Sequence, residues 1–135
     1  MERSRKVYII LLAVYTLVLT CSAIICRAPR ADVIYTDLFW GYHSDEKYLF
    51  WDNIYNIAAF VPLGLLIGLI VPRYKLMVAS LFGLFLSETF ECFQLILRRG
   101  VFDVDDLFNN VVGALIGGLI AVGIVWLGNR GSSPR

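Results

Sequence analysis

The residues of this chain that could do chemistry are acidic and amide side chains that recur at helical spacing. Asp103, Asp106 and Asn110 lie three and four residues apart. Gly113 and Gly117 continue the series at the same spacing. These intervals place all five residues on one face of an α-helix. Because carboxylates that enter a membrane along a helix need water or a polar partner, this face predicts a site.

Two neighbouring segments carry stripes of the same kind. One stripe consists of Asn53, Asn56, Phe60, Gly64 and Gly68, and the other of Ser80, Gly83, Ser87, Glu91, Gln94 and Arg98. Small residues four positions apart allow helix backbones to approach closely, so each helix would be tightly packed at one end and polar at the other. The stripes together predict one pocket with nine candidate ligand-binding residues: Asn53, Asn56, Glu91, Gln94, Arg98, Arg99, Asp103, Asp106 and Asn110.

Three interpretations of this polar cluster stay open. In a structural interpretation, Arg98 or Arg99 neutralises an aspartate and the amides bridge helices. In an ion site, Glu91, Asp103 and Asp106 are the candidate metal ligands, and Mg²⁺ or Ca²⁺ is the expected cofactor because both prefer oxygen ligands. In a catalytic interpretation, the same three carboxylates are the candidate acid and base, since crowded carboxylates can exchange a proton with a substrate.

The net charge and the few histidine and cysteine residues argue against nucleic-acid binding, a histidine base and a zinc site. A net charge of +1 provides no field that would recruit nucleic acid. The chain has one histidine, His43, which we expect to be an exposed loop residue rather than a base. Its cysteines, Cys21, Cys26 and Cys92, lie in apolar runs without metal-site spacing, which argues against zinc.

The elements that must position the polar cluster are four long apolar runs, in a chain that is 59% hydrophobic. The runs are residues 7–26, 54–71, 76–97 and 107–127. Each is near the roughly 20 residues that a helix needs to cross a bilayer. The predicted fold is therefore an all-α membrane protein, a bundle of four transmembrane helices over residues 7–127. Residues 1–6 would form a short cytoplasmic segment, and residues 128–135 a flexible cytoplasmic tail.

The basic residues predict which way the bundle faces. One side would hold Arg3, Arg5, Lys6, Arg73, Lys75, Arg130 and Arg135, and the other Arg27, Arg30, Lys47, Arg98 and Arg99. Because the first set lies in the shorter segments, we expect both termini in the cytoplasm and the polar pocket facing outward. The aromatic residues of the long loop, residues 27–53, would form an interfacial belt or, alternatively, a lid over the site.

The polar positions also resemble the VanZ family. The shared pattern reads Asn56-x-x-x-Phe60-x-Pro62-x-Gly64, then Glu91-x-x-Gln94, then Asp103-x-x-Asp106-x-x-x-Asn110-x-x-Gly113, and it covers about residues 53–118. The resemblance implies a multi-pass protein of the bacterial plasma membrane, associated with resistance to teicoplanin-type glycopeptide antibiotics. Glu88, one turn from Glu91, has no counterpart in the pattern, so its role stays open.

Two functions follow from the pocket and the resemblance. In the first, the pocket binds an envelope component, a lipid head group or surface polymer, and so limits antibiotic access. In the alternative, the chain is an intramembrane enzyme that acts on a lipid-linked or phosphate-bearing envelope molecule through its carboxylates. The expected partners are membrane lipids. A second copy of the chain is a further expected partner, because glycine faces could also pair two protomers.

Overall fold

The computed structural model describes residues 2–27 and 34–131 as a bundle of long helices. In chain order its elements are α1 (Glu2–Thr20, continued by a π-helical turn over Cys21–Ile25), β1 (Ile34–Tyr35), α2 (Trp40–His43), α3 (Lys47–Ile70), α4 (Lys75–Ile96), β2 (Phe102–Asp103) and α5 (Val104–Gly131). Helix α1 with its π-helical turn, α3, α4 and α5 are each long and apolar enough to cross a membrane. The predicted all-α membrane bundle is confirmed.

Helices α3, α4 and α5 form the centre of the bundle because each packs against the other two, whereas α1 packs against α3. The buried core consists of Phe60, Leu63, Ile67, Ala79, Leu86, Phe90 and Ala114. None of residues 2–20 is buried, so α1 is a peripheral helix. One of its few polar contacts is the Tyr15 hydroxyl, which donates to the Ala59 carbonyl at 2.8 Å.

The close packing of α5 on α3 depends on glycine. A Cβ atom at Gly113 would lie 2.2 Å from the Ile57 carbonyl oxygen, and one at Gly117 would lie 2.0 Å from the Val61 carbonyl oxygen. These distances leave no room for a methyl group, which confirms the close helix approach that the small-residue spacing predicts. Because both glycines face α3 of the same chain, this face is not available to pair two copies.

Two helices extend beyond the predicted runs. Helix α3 begins at Lys47, so the aromatic and polar residues assigned to the end of the long loop are helical. Helix α5 continues to Gly131, where a flexible tail was predicted from residue 128. The Arg130 guanidinium lies 3.7 Å from the centroid of the Trp126 ring, one turn earlier, and this cation–π contact supports the last turn.

The segment of residues 34–46, here called the cap segment, is fastened to the end of the bundle where α4 ends and α5 begins. Its strand β1 pairs in parallel with β2, with Tyr35 opposite Asp103. The Tyr35 and Trp40 rings stack with centroids 4.0 Å apart. Aromatic residues of the predicted belt therefore pack on the protein here, whereas Trp51, which lies on α3, is exposed.

The orientation of the bundle across the membrane stays a prediction. Arg30 and Arg135, which contribute to the charge count on either side, lie outside the described residues. So do Met1 at one terminus and residues 132–135 at the other.

Candidate functional site

Two adjoining cavities lie at the capped end of the bundle. The larger, here called the outer cavity, has a volume of about 400 Å³ and is bounded by the cap segment and the first turns of α3 and α5. The smaller, the inner chamber, has a volume of about 110 Å³ and lies between the π-helical turn and helices α3, α4 and α5. Arg27, Asn56 and Asp106 line both cavities, so the two cavities adjoin at these polar residues.

The structure brings seven of the nine predicted site residues to these cavities. Asn53, Asn56, Asp103 and Asp106 line the outer cavity, and Asn56, Glu91, Gln94, Asp106 and Asn110 line the inner chamber. Their convergence follows from the three helical stripes, because each stripe turns its polar end toward the same end of the bundle. Their part in ligand binding stays a prediction.

Arg98 and Arg99 are the two predicted residues that line neither cavity. Arg98 follows the last residues of α4 with a left-handed backbone, at φ 53°, and its side chain is exposed. Arg99 donates from Nη1 to the Ile25 carbonyl oxygen at 3.0 Å. The helix ends before the stripe reaches these positions, so helical spacing no longer predicts where their side chains point.

Asp106 lies at the boundary between the two cavities and is only 8% exposed. Its Oδ1 accepts a hydrogen bond from Asn56 Nδ2, and its Oδ2 lies 3.6 Å from Arg27 Nη2. A buried carboxylate needs such a partner, because removing a charge from water is costly. Sequence reasoning missed Arg27 in this role, since the basic residue was expected to come from position 98 or 99.

Asp103 joins the cap segment to the start of α5. Its Oδ1 accepts from the backbone N–H of Asp105 at 2.8 Å, which is the geometry of a helix N-cap. The indole Nε1 of Trp40 donates to both carboxylate oxygens, at 3.1 and 2.9 Å. Burial raises the pKa of the Asp103 carboxyl above its ordinary value, while these hydrogen bonds oppose the shift.

Glu91 faces the interior of the bundle and is 2% exposed. Its Oε2 accepts from the backbone N–H of Asp103 at 3.0 Å, which ties α4 to the start of α5. Glu88, three positions earlier, is exposed on the same helix. It therefore lies outside the polar cluster, and its earlier position in α4 does not bring it to either cavity.

A second polar stripe on α5 was missed by the sequence reasoning. Asp105 and Asn109 are both fully buried, and they hold the cap segment in place. Asp105 accepts from the backbone N–H of Gly41 at 3.1 Å. Asn109 accepts from the Tyr42 hydroxyl at 2.6 Å and donates to Asn53 Oδ1 at 2.8 Å. The signal was present in the sequence, because these two residues are four positions apart.

Three buried amide side chains each have one atom with no hydrogen-bond partner among the described residues: Asn53 Nδ2, Gln94 Oε1 and Asn110 Oδ1. Their other polar atoms are engaged. Gln94 Nε2 donates to the Ala23 carbonyl at 3.0 Å, and Asn110 Nδ2 donates to Ser87 Oγ at 2.7 Å. An unpaired buried polar atom costs about 1–3 kcal/mol, so we expect water or a ligand group to meet these atoms.

The candidate metal ligands do not form one set. Within the described ranges, no three histidine, cysteine, aspartate or glutamate side chains converge closely enough to hold a metal ion. Asp103 and Asp106 line the outer cavity, and Glu91 and Asp106 line the inner chamber, so neither cavity is lined by all three candidates. This geometry does not support the Mg²⁺ or Ca²⁺ site. His43 lies within hydrogen-bond distance of the Phe39 carbonyl, at 2.8 Å, and lines neither cavity.

The comparisons with known proteins agree with the polar pattern. A family model described as VanZ/LLP1 matches residues 7–127. The chain belongs to the VanZ/LLP1 family. Protein VanZ of Enterococcus faecium is 35% identical to it over 68 residues. That match covers 50% of this chain and 42% of the relative, so the chain corresponds to less than half of that protein. No solved structure shows a significant match.

Proposed function

We propose that this VanZ-family chain binds the head group of a bacterial envelope component in its outer cavity. By holding that component it would contribute to tolerance of teicoplanin-type glycopeptide antibiotics. Family membership and the four helices that can cross a membrane support an envelope role. The observation that carries the binding role is the outer cavity itself, a concave polar space of about 400 Å³ at one end of the bundle.

The lining of the outer cavity supports a ligand that is polar but has apolar faces. Tyr35, Trp40 and Tyr55 contribute aromatic rings, and Asp52 and Asn53 contribute carboxylate and amide groups. Cavities that bind small molecules typically have volumes of about 300–1,000 Å³ and combine such surfaces with a few fixed polar groups. A saccharide unit or a lipid head group has this mixed character, whereas an acyl chain does not.

The direction in which the cavity opens is part of the proposal. With both termini in the cytoplasm, the capped end of the bundle would face the outside of the plasma membrane, where glycopeptides encounter the envelope. The bound component could then be a membrane lipid or a surface polymer, and both are within reach of that face.

Antibiotic susceptibility of cells that express cavity variants tests this function. Asp52→Asn removes one cavity charge and keeps the shape of the side chain, so we expect it to lower teicoplanin tolerance relative to the wild type. Asp45→Asn removes the same charge from an exposed residue of the cap segment that lines neither cavity. It is the matched control and should keep full tolerance. Equal tolerance of both variants, at equal membrane abundance, would contradict a role for the outer cavity.

A second candidate is an intramembrane enzyme, favoured by two buried carboxylates, Glu91 and Asp106, that line the same chamber. Such a pair could supply an acid and a base to a lipid-linked or phosphate-bearing molecule. Comparing the lipids of cells that express the wild type or Asp106→Asn distinguishes the candidates. An enzyme would change the abundance of a lipid in the wild type only, whereas a binding protein would leave lipid composition alike in both.

A further inference from the structure

The inner chamber has apolar and polar residues in its lining, and its polar residues include several hydrogen-bond acceptors. Gln94 and Asn110 line the chamber, and Gln94 Oε1 and Asn110 Oδ1 are buried without a hydrogen-bond partner in the described part of the chain. The carboxylates of Glu91 and Asp106 line the same space. A site made of acceptors is complementary to a group that donates several hydrogen bonds at once.

The orientation of the Gln94 amide is fixed by its surroundings. Its Nε2 donates to the carbonyl oxygen of Ala23, in the π-helical turn, and a carbonyl can only accept. The Oε1 atom must therefore point the other way. It also passes close to Gly100, where a Cβ atom would lie 2.6 Å from it. Gln94 is 1% exposed and lines the chamber, and its Oε1 is a buried, unpaired acceptor.

The described residues that line the chamber include two acidic side chains and one basic side chain. Glu91 and Asp106 are acidic, and Arg27 is the cation of that lining. Its guanidinium lies 3.6 Å from Asp106 Oδ2, while Glu91 accepts from the neutral backbone N–H of Asp103 at 3.0 Å. A second positive charge in the chamber would therefore stabilise the ionised form of Glu91, provided that the cation also satisfies the amide oxygens.

We propose that the inner chamber binds the primary ammonium group of a ligand whose remainder lies in the outer cavity. The proposal rests on the proposed function, since it describes one part of the same head group. A primary ammonium has one positive charge and three N–H donors. These donors could form hydrogen bonds with the acceptor atoms of Gln94, Asn110 and the two carboxylates. The positive charge of the ammonium would pair with the carboxylate of Glu91.

The size of the chamber and the groups that line it favour a primary ammonium over water and over a divalent metal ion. The chamber of about 110 Å³ has room for about three water molecules at roughly 30 Å³ each, so a terminal ammonium fits. Water would satisfy the amide oxygens, but it has no positive charge to stabilise an ionised Glu91. A divalent ion takes about six or more oxygen ligands, and no three carboxylates of the described chain converge to supply them.

The test compares probes of equal charge on the intact chain in detergent micelles. Methylammonium has three N–H donors and tetramethylammonium has none, and both are added as chloride salts at constant ionic strength. We expect methylammonium to raise the midpoint of thermal unfolding saturably, because a ligand that binds the folded state stabilises it. Tetramethylammonium and potassium should not. Equal effects of methylammonium and tetramethylammonium, or no effect of either, would overturn the proposal.

A matched pair of variants localises the site. Glu91→Gln removes the chamber charge but can still accept from the Asp103 N–H, so the fold should persist. We expect it to weaken methylammonium binding by about tenfold or more, as loss of a charged hydrogen bond predicts. Glu88→Gln removes the same charge from an exposed position of the same helix and should leave binding unchanged. If Glu91→Gln does not fold, the comparison of methylammonium with tetramethylammonium on the wild-type protein still tests the proposal.

Two sources could supply the ammonium group, and the last step separates them. Nanodiscs that contain an ethanolamine phospholipid test a lipid, and a soluble alanyl ester of glycerol phosphate tests an aminoacylated polymer. Whichever of these two compounds supplies the natural ammonium group should compete with methylammonium for the chamber. This result is independent of the Asp52→Asn susceptibility test. Loss of tolerance in Asp52→Asn without methylammonium binding would reject the ammonium site alone, whereas methylammonium binding with unchanged tolerance would reject the proposed function alone.

Discussion

At the scale of single residues, Asp103 connects the parts of the site. Its carboxylate caps α5 and binds the Trp40 indole, and its backbone N–H donates to Glu91. The three contacts join the cap segment, α4 and α5 at one residue. Because these partners come from separate elements, we expect a change at this residue or at its partners to loosen the capped end while the distant glycine-packed part of the bundle is retained.

The Trp40 side chain tests this connection. Trp40→Phe keeps an aromatic ring to stack on Tyr35 but removes the donor to Asp103. Loss of one hydrogen bond to a charged group should lower the free energy of unfolding by about 1–3 kcal/mol, measured by denaturation in micelles. Trp51→Phe is the control, because Trp51 is 54% exposed. The connection would be refuted if both variants were equally stable.

The raised pKa of Asp103 predicts how stability depends on pH. Because burial raises the folded-state pKa, the folded protein holds this proton more tightly than the unfolded chain. The stabilisation is complete below the unfolded pKa, about 3.9, and is lost as pH rises through the raised folded value. Asp103→Asn lacks this dependence. The unfolding midpoint of the wild type minus that of Asp103→Asn should therefore fall as pH rises, and a difference that rises would contradict the shift.

The residues that sequence reasoning found are those that one helix can align. Helical spacing located Asp106 and Asn110, and the same rule would have located Asp105 and Asn109. It could not locate Trp40, which meets Asp103 across 63 positions of sequence. Such contacts depend on how the cap segment folds back onto the bundle, and no local periodicity describes that path.

At the scale of elements, α5 contributes two kinds of surface along one helix. Its first turns carry the polar stripes, and its middle carries glycines that touch the backbone of α3. The glycine contacts set the distance between the helices, and the same helices position the residues of the polar stripes. The sequence predicted this division, because small residues at four-residue spacing are a packing signal. It missed the start of α3, since Tyr48, Phe50 and Trp51 read as an interfacial loop.

Glycine substitutions on α5 test whether this packing is required. A Cβ at Gly117 would lie 2.0 Å from the Val61 carbonyl oxygen, whereas one at Gly123 has no atom within 4 Å among the described residues. Gly117→Ala should destabilise the bundle by about 1–3 kcal/mol or more through overpacking. Gly123→Ala should be neutral or stabilising by up to about 1 kcal/mol, because alanine favours helix. Unfolding in micelles checks both, and equal effects would rule out the close contact.

At the scale of the whole molecule, the bundle has one closed end and apolar sides. The cap segment covers the end where α4 ends and α5 begins, and both cavities lie there. Large exposed apolar side chains, such as Leu17, Phe85 and Leu127, lie along the helices. In water these side chains would promote aggregation, whereas in a bilayer they would contact lipid acyl chains. The whole arrangement therefore suits a protein that presents one polar end at a membrane surface.

The direction of that polar end is the prediction on which the envelope role depends. The basic residues at the two termini and in the turn between α3 and α4 favour a cytoplasmic location for that side. In a variant with Cys21, Cys26 and Cys92 replaced by alanine, Asp45→Cys should react with an impermeant maleimide in intact cells. Ser4→Cys should react only after permeabilisation. Both positions are exposed in the structure, so any difference in labelling reports the side of the membrane. Labelling of Ser4→Cys in intact cells, with Asp45→Cys protected, would place the cavities on the cytoplasmic side and contradict binding of an external component.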